Sequence, residues 1–180
     1  VKAASEREKL DLSDWQPVQQ AEYGQLLSII APELHSFIEE HSALSGLMDR
    51  VRESYDEAVY AEALQVIGSE LDQHFTYEEE LLLPRLAKRI GSEQVGPIYK
   101  LRQDHQVIRN RYAEVRALFA ERSQSTAREA LVQRMNLLAY LLKKHIEKED
   151  HYLFPLLSLI LTAAEKADIA HELHARHERR

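Results

Sequence analysis

Two segments of the chain are near copies of one another at a constant offset of 71: His74-Phe-Thr-Tyr-Glu78-Glu-Glu-Leu-Leu-Leu-Pro84-Arg-Leu86 and His145-Ile-Glu-Lys-Glu149-Asp-His-Tyr-Leu-Phe-Pro155-Leu-Leu157. In each, a glutamate follows the histidine by four residues, a second acid comes next, and a proline falls six residues after the glutamate. On a helix, positions i and i+4 share a face with β-carbons ~5–6 Å apart, so an imidazole and a carboxylate so placed can address one ion or adjacent ions. A looser pair, Glu40-His41 with Leu44 and Asp104-His105 with Ile108, offers two further imidazoles. Four imidazoles and two bridging carboxylates give about eight donor contacts, too many for one ion and suited to two. If both ions are six-coordinate and share a solvent-derived oxygen, about one position on each stays open to a small ligand.

Each element alone has an ordinary explanation. A single histidine in an apolar stripe is usually a hydrogen-bonded core residue, and a single His-x-x-x-Glu is most often a surface ion pair. Their joint occurrence in duplicated contexts points to metal. Burying two unpaired carboxylates would cost several kcal/mol each or force them neutral, whereas cations between them stabilise the charge. The chain has no cysteine, which excludes disulfides, thiolate metal sites, iron–sulfur ligation and a cysteine nucleophile. Any metal is therefore held by nitrogen and oxygen, a donor set that suits redox iron and that manganese or zinc can also occupy.

These residues need helices to position them. Leu34, Phe37, His41, Leu44, Met48 and Val51 recur at steps of three and four, the spacing of one helix face. The same rule holds for Tyr60, Leu64, Ile67, Leu71, His74, Glu78 and Leu81, for Ile98, Leu101, His105, Ile108, Tyr112, Val115 and Phe119, and for Leu131, Met135, Leu138, Leu142, His145, Glu149, Tyr152 and Leu156. Each stripe is interrupted by one histidine. Pro84 is expected to kink or end the second helix. The segment 90–97, with two glycines and a proline, reads as a loop, and 123–126 as a polar cap region. Short breaks leave consecutive helices side by side, so the fold class is all-α, an antiparallel up-and-down four-helix bundle. The bundle spans 32–160, after an N-terminal arm, 1–31, with a short helix over 18–30. Thr162 and Glu165 form a capping-box pattern opening a short C-terminal helix within 161–180.

Composition agrees. The chain of 180 residues has only five glycines and five prolines, too little turn chemistry for a many-stranded protein. The longest stretch free of Asp, Glu, Lys and Arg is 14 residues, 151–164, short of the ~18–20 of a membrane span. A net charge of −7 with no long basic run argues against nucleic acid and anionic lipid as partners. Residues 1–16 lack the basic start and apolar stretch of a secretory signal, so a cytoplasmic location is the default expectation. The oligomeric state stays open, a homodimer included.

Over about 32–160 the sequence resembles the hemerythrin-like family, or HHE cation-binding domain. The resemblance rests on His41, on His74-x-x-x-Glu78 before Leu-Leu-Pro84, on His105, and on His145-x-x-x-Glu149 before Leu-Phe-Pro155. It implies a non-haem centre of two iron ions, oxo- or hydroxo-bridged, with His41, His74, His105 and His145 as terminal ligands and Glu78 and Glu149 as bridges. The function it implies is binding or sensing of oxygen, peroxide or nitric oxide at open iron positions. Repair of iron–sulfur centres, nitric oxide or peroxide reduction under stress, and iron handling or storage are the alternatives, with a metal-free structural bundle as the rival outside the family. Oxygen carriers of the family have a further histidine four residues after the third-helix histidine, where this chain has Arg109. The site therefore resembles more closely the four-histidine, two-glutamate centres of the repair proteins, although their usual N-terminal cysteine-bearing domain is absent from these 180 residues. Arg109 is expected either to pair with a neighbouring acid or to favour an anionic ligand near His105. His35 and His151 lie off the ligand stripes by about a third of a turn and read as surface or supporting groups. His171, His174 and His177 read as a solvated face, as do Glu79 and Glu80, and Tyr77 and Tyr152 are expected to pack in the core.

Overall fold

The four stripes fold as helices because each presents leucine-rich spacing to a common interior and polar residues to water. The computed structural model describes residues 20–92, 94 and 96–179. Helix α1 is Gln20–Ile29, and a 3₁₀ turn, Pro32–Leu34, leads into α2, His35–Glu53. The start expected for α1, near residue 18, lies outside the described residues. Asp56 caps α3, Glu57–Asp72, by accepting from the N–H groups of Ala58 and Val59 at 2.8 and 3.1 Å. The second bundle helix then continues as α4, His74–Tyr77, a π-helical turn, Glu78–Leu82, and α5, Leu83–Ile90. Gly91, at φ 79°, closes α5 in the left-handed conformation that glycine adopts without strain. The third bundle helix is α6, Gly96–Ala120. The fourth is α7, Ser125–Lys148, a second π-helical turn, Glu149–Leu153, and α8, Phe154–Ile160. The capping box forms as expected, Thr162 accepting from the Glu165 N–H and Glu165 from the Thr162 N–H, and opens α9, Ala163–Glu178.

Two local expectations meet the structure differently. Pro84, expected to kink or end its helix, does not end it. The N–H of Leu83 reaches back to the Glu78 carbonyl, so the turn widens and the ring sits in the first turn of α5, where a missing donor costs little. The N–H of Phe154 does the same toward Glu149, ahead of Pro155. The polar segment before α7 supplies no side-chain cap, because Gln124 holds the cap position without such a bond.

Helices α2, α3, α6 and α7 close a ring in which each packs on two neighbours, the up-and-down arrangement that short connections dictate. No strand occurs among the described residues. The interior is divided into two apolar clusters. One gathers Phe37, Ile38, Leu82, Leu86, Ile98, Leu101, Phe154 and Leu157, together with Tyr23 and Leu26 of α1 and Ile169 and Leu173 of α9. The other gathers Leu44, Met48, Tyr60, Ile67, Ile108, Val115, Leu131, Met135 and Leu142. Along every bundle helix the boundary between them falls at the histidine or glutamate that breaks the apolar stripe, so the chemistry occupies a layer across the core.

Candidate metal centre

The layer contains His41 from α2, His74 from α4, His105 from α6 and His145 from α7, with Glu78 and Glu149 at the first residue of each π-helical turn. None is more than 2% exposed. All six sequence-chosen residues thus come together. Their donor atoms form two groups, each within 4.8 Å: His41, His74, Glu78 and Glu149, and Glu78, His105, His145 and Glu149. The two glutamates belong to both. Glu78 sends Oε1 to His74 Nε2 at 2.8 Å and Oε2 to His105 Nε2 at 3.2 Å. Glu149 sends Oε2 to His41 Nε2 at 3.3 Å and Oε1 to His145 Nε2 at 2.8 Å. Each carboxylate therefore divides its oxygens between the two histidine pairs. Within the first pair, the Nε2 atoms of His41 and His74 face one another at 2.9 Å.

Several of these inward atoms are unsatisfied. Glu78 Oε2, both carboxylate oxygens of Glu149, His105 Nε2 and His145 Nε2 are buried without a hydrogen bond of good geometry. Leaving one buried polar group unpaired costs about 1–3 kcal/mol, more if it is charged, and here they converge on one place. A pair of cations would satisfy them together, so the donor set fits metal.

Behind the layer stands a second set of acids. The outer Nδ1 of His41 meets Asp150 at 2.6 Å, that of His74 meets Glu40 at 2.6 Å, and that of His105 meets Glu79 at 2.7 Å. Asp104 lies farther from His145 Nδ1, at 3.7 Å. An acid on the outer nitrogen fixes the tautomer, aims Nε2 inward and raises its basicity. The pattern follows the sequence duplication. The acid preceding the histidine of α2 or α6 serves the histidine of the next bundle helix, and the acid following each glutamate serves the other half. This corrects the reading of Glu79 as solvated. The π-helical turn lets adjacent Glu78 and Glu79 both serve the site, as it does Glu149 and Asp150. The signal was present in the repeat, where a second acid recurs and an acid precedes both single histidines. Glu80 does lie outside, paired with Arg176 at 2.7 Å.

Among the protein's own groups the electrostatics are strongly coupled. Burial disfavours the charged form of His41, but Asp150 and then Glu149 outweigh it and raise its pKa to about 9. His105 is carried to about 11, with burial again opposed by Glu149, Glu78 and Glu79. His74 and His145 also rise against burial, chiefly through Glu78 and Glu149 respectively. Burial and mutual repulsion work to raise the Glu78 carboxyl, yet His74 and His105 bring it below the ordinary range. Glu149 is held well below that range, His145 overcoming burial. A cation bound here would take the place of these imidazole protons, so its uptake would release protons and strengthen as pH rises.

The remaining candidates separate clearly. Arg109 pairs with Glu79 at 2.8 Å and lies over the Phe75 ring, which stacks on His105 at 3.8 Å between centroids. This is the acid-pairing arrangement expected for it. Tyr77 is buried, as expected, beneath the Arg176 guanidinium, whereas Tyr152 is 75% exposed and does not pack in the core. His35 contacts the Ile30 carbonyl with Nε2 at 2.8 Å and has no part in the layer. His151, His171, His174 and His177 are exposed.

A four-helix bundle sealing a layer of imidazoles and carboxylates suited to cations defines a class of metal-binding helical domain. The chain belongs to the hemerythrin HHE cation-binding domain family, whose model matches residues 33–157 and again 96–179. Curated relatives include iron–sulfur cluster repair proteins YtfE of Yersinia pseudotuberculosis and Yersinia pestis. Each is 32% identical over 100 residues, covering 53% of this chain and 45% of the relative. The match thus spans less than half the length of those relatives. No solved structure gives a significant match. Among the described residues, no helix is long and apolar enough to cross a membrane.

Proposed function

We propose that this protein holds two iron ions, one between His41 and His74 and one between His105 and His145, bridged by Glu78 and Glu149, and binds a small ligand at the coordination left open. The single observation that carries the reading is the division of each glutamate's oxygens between the two histidine pairs. Iron bound there supplies redox chemistry and a site for oxygen, peroxide or nitric oxide. The protein's residues orient the donors through the outer acids, keep bulk water from the layer and restrict access to small molecules, since every ligand is sealed in the core. Nitrogen and oxygen donors also accept manganese and zinc, and the names of the curated relatives favour iron.

Those names also support a second reading, in which the same centre acts in the repair of iron–sulfur clusters. The two are tested side by side. Anaerobically iron-loaded protein exposed to nitric oxide, peroxide and azide should develop new, saturable absorption bands. An unchanged spectrum with all three overturns ligand binding. For repair, the loaded protein should restore an iron–sulfur enzyme with a damaged cluster faster than the same amount of free iron, and equal recovery rejects that reading.

A further inference from the structure

The two histidine pairs match in ligand type but not in the charge behind them. Behind His41 and His74 stand Asp150, Glu40 and Glu70, the last with Oε2 3.4 Å from His74 Nδ1. Among the described residues none of these three acids pairs with a lysine or arginine, and Asp150 is 3% exposed, where solvent screens it little. Behind His105 and His145 the acids are neutralised. Glu79 is paired with Arg109 at 2.8 Å, and Asp104 with Lys148 at 2.7 Å and Lys100 at 3.5 Å. Asp104 also stands 3.7 Å from His145, beyond a hydrogen bond, while the other three outer acids lie within 2.7 Å of theirs.

Both differences act in one direction. An unneutralised acid on the outer nitrogen makes the inner nitrogen a better donor, and its charge attracts the cation directly. An arginine or lysine beyond the acid withdraws part of each effect. We infer that the two ions are held unequally: the ion between His41 and His74 is bound tightly, and the ion between His105 and His145 is the one that is bound last and exchanges first. The inference rests on the two-ion reading. Under it, Arg109 and Lys148 set the affinity of the second ion without touching it, and so are tuning residues.

The test is an anaerobic titration of metal-free protein with cobalt(II), followed by absorption and calorimetry, on wild type and on variants shown to be folded by circular dichroism. Shared glutamates alone could split two binding steps, so the identity of the tight site is read from the variants. The doubly substituted Arg109→Gln, Lys148→Gln protein should bind its second ion on the order of tenfold more tightly, with the first step unchanged. Glu40→Gln should weaken the first step by a similar factor and leave the second. His145→Ala should retain the tight step, and His74→Ala only a weak one. Two ions per chain with a second step unchanged or weakened in the double variant would overturn the inference while leaving the two-ion centre intact. Fewer than two ions on folded wild-type protein would instead overturn the two-ion reading, and this inference with it.

Discussion

Replacing Asp150 by asparagine keeps the size and an acceptor oxygen beside His41 Nδ1 while removing a buried charge 2.6 Å away. Burial opposes a protonated His41, but Asp150 first and Glu149 next carry its pKa from 6.5 to about 9. A group whose pKa is raised by folding stabilises the fold fully below its unfolded value. That contribution is lost as pH climbs through the folded value. For His41 it corresponds to about 3 kcal/mol at pH 6 and less than about 1 kcal/mol at pH 9. Asp150 exerts the larger raising influence, so Asp150→Asn should destabilise metal-stripped protein by about 2 kcal/mol at pH 6 and by under about 1 kcal/mol at pH 9. Urea unfolding of chelator-treated wild type and variant at the two pH values reads both numbers. A cost that is equal at the two, or greater at pH 9, would show that Asp150 does not stabilise the fold through the His41 proton.

Glu149→Ala should lose more iron than His41→Ala, because Glu149 faces both histidine pairs and His41 only one; equal losses by metal analysis would contradict the bridging role. Gly68→Val should cost about 1–3 kcal/mol in thermal or urea unfolding, since an added Cβ would stand 2.5 Å from the Tyr112 hydroxyl that donates to the Leu64 carbonyl. Combining it with Tyr112→Phe should recover part of the loss, and no recovery would place the strain elsewhere. Thr162→Ala should cost about 1 kcal/mol by removing the capping box of α9, and an unchanged melting temperature would show that the cap adds nothing there.

The helices and the six inward residues were legible because both follow from a single periodicity. A polar residue that keeps the phase of an apolar stripe must enter the core, and four stripes doing so at one level must meet. The outer acids were only half legible. Glu79 and Asp150 each follow a glutamate already assigned inward, and an ideal helix turns the next residue about 100° away, toward solvent for Glu79. The π-helical turns remove that conflict, and the clue to them was the proline six residues beyond each glutamate, which ordinarily signals a helix end. Tyr152 was misplaced for a related reason. It keeps the phase of its stripe on an ideal helix, but the π-helical turn that begins at Glu149 shifts the register and leaves it 75% exposed. The asymmetry of charge behind the two histidine pairs could not be read from spacing, because only the fold sets Arg109 against Glu79 and Lys148 against Asp104.

If two ions share Glu78 and Glu149, anaerobic iron reconstitution followed by metal analysis and Mössbauer spectroscopy in an applied field will register both of them and the link between them. Two irons per chain are expected, with spins coupled through the bridging carboxylates and the coupling lost in Glu78→Ala and Glu149→Ala. A folded protein that takes up no iron, or one iron, or two that are magnetically independent, would contradict that sharing.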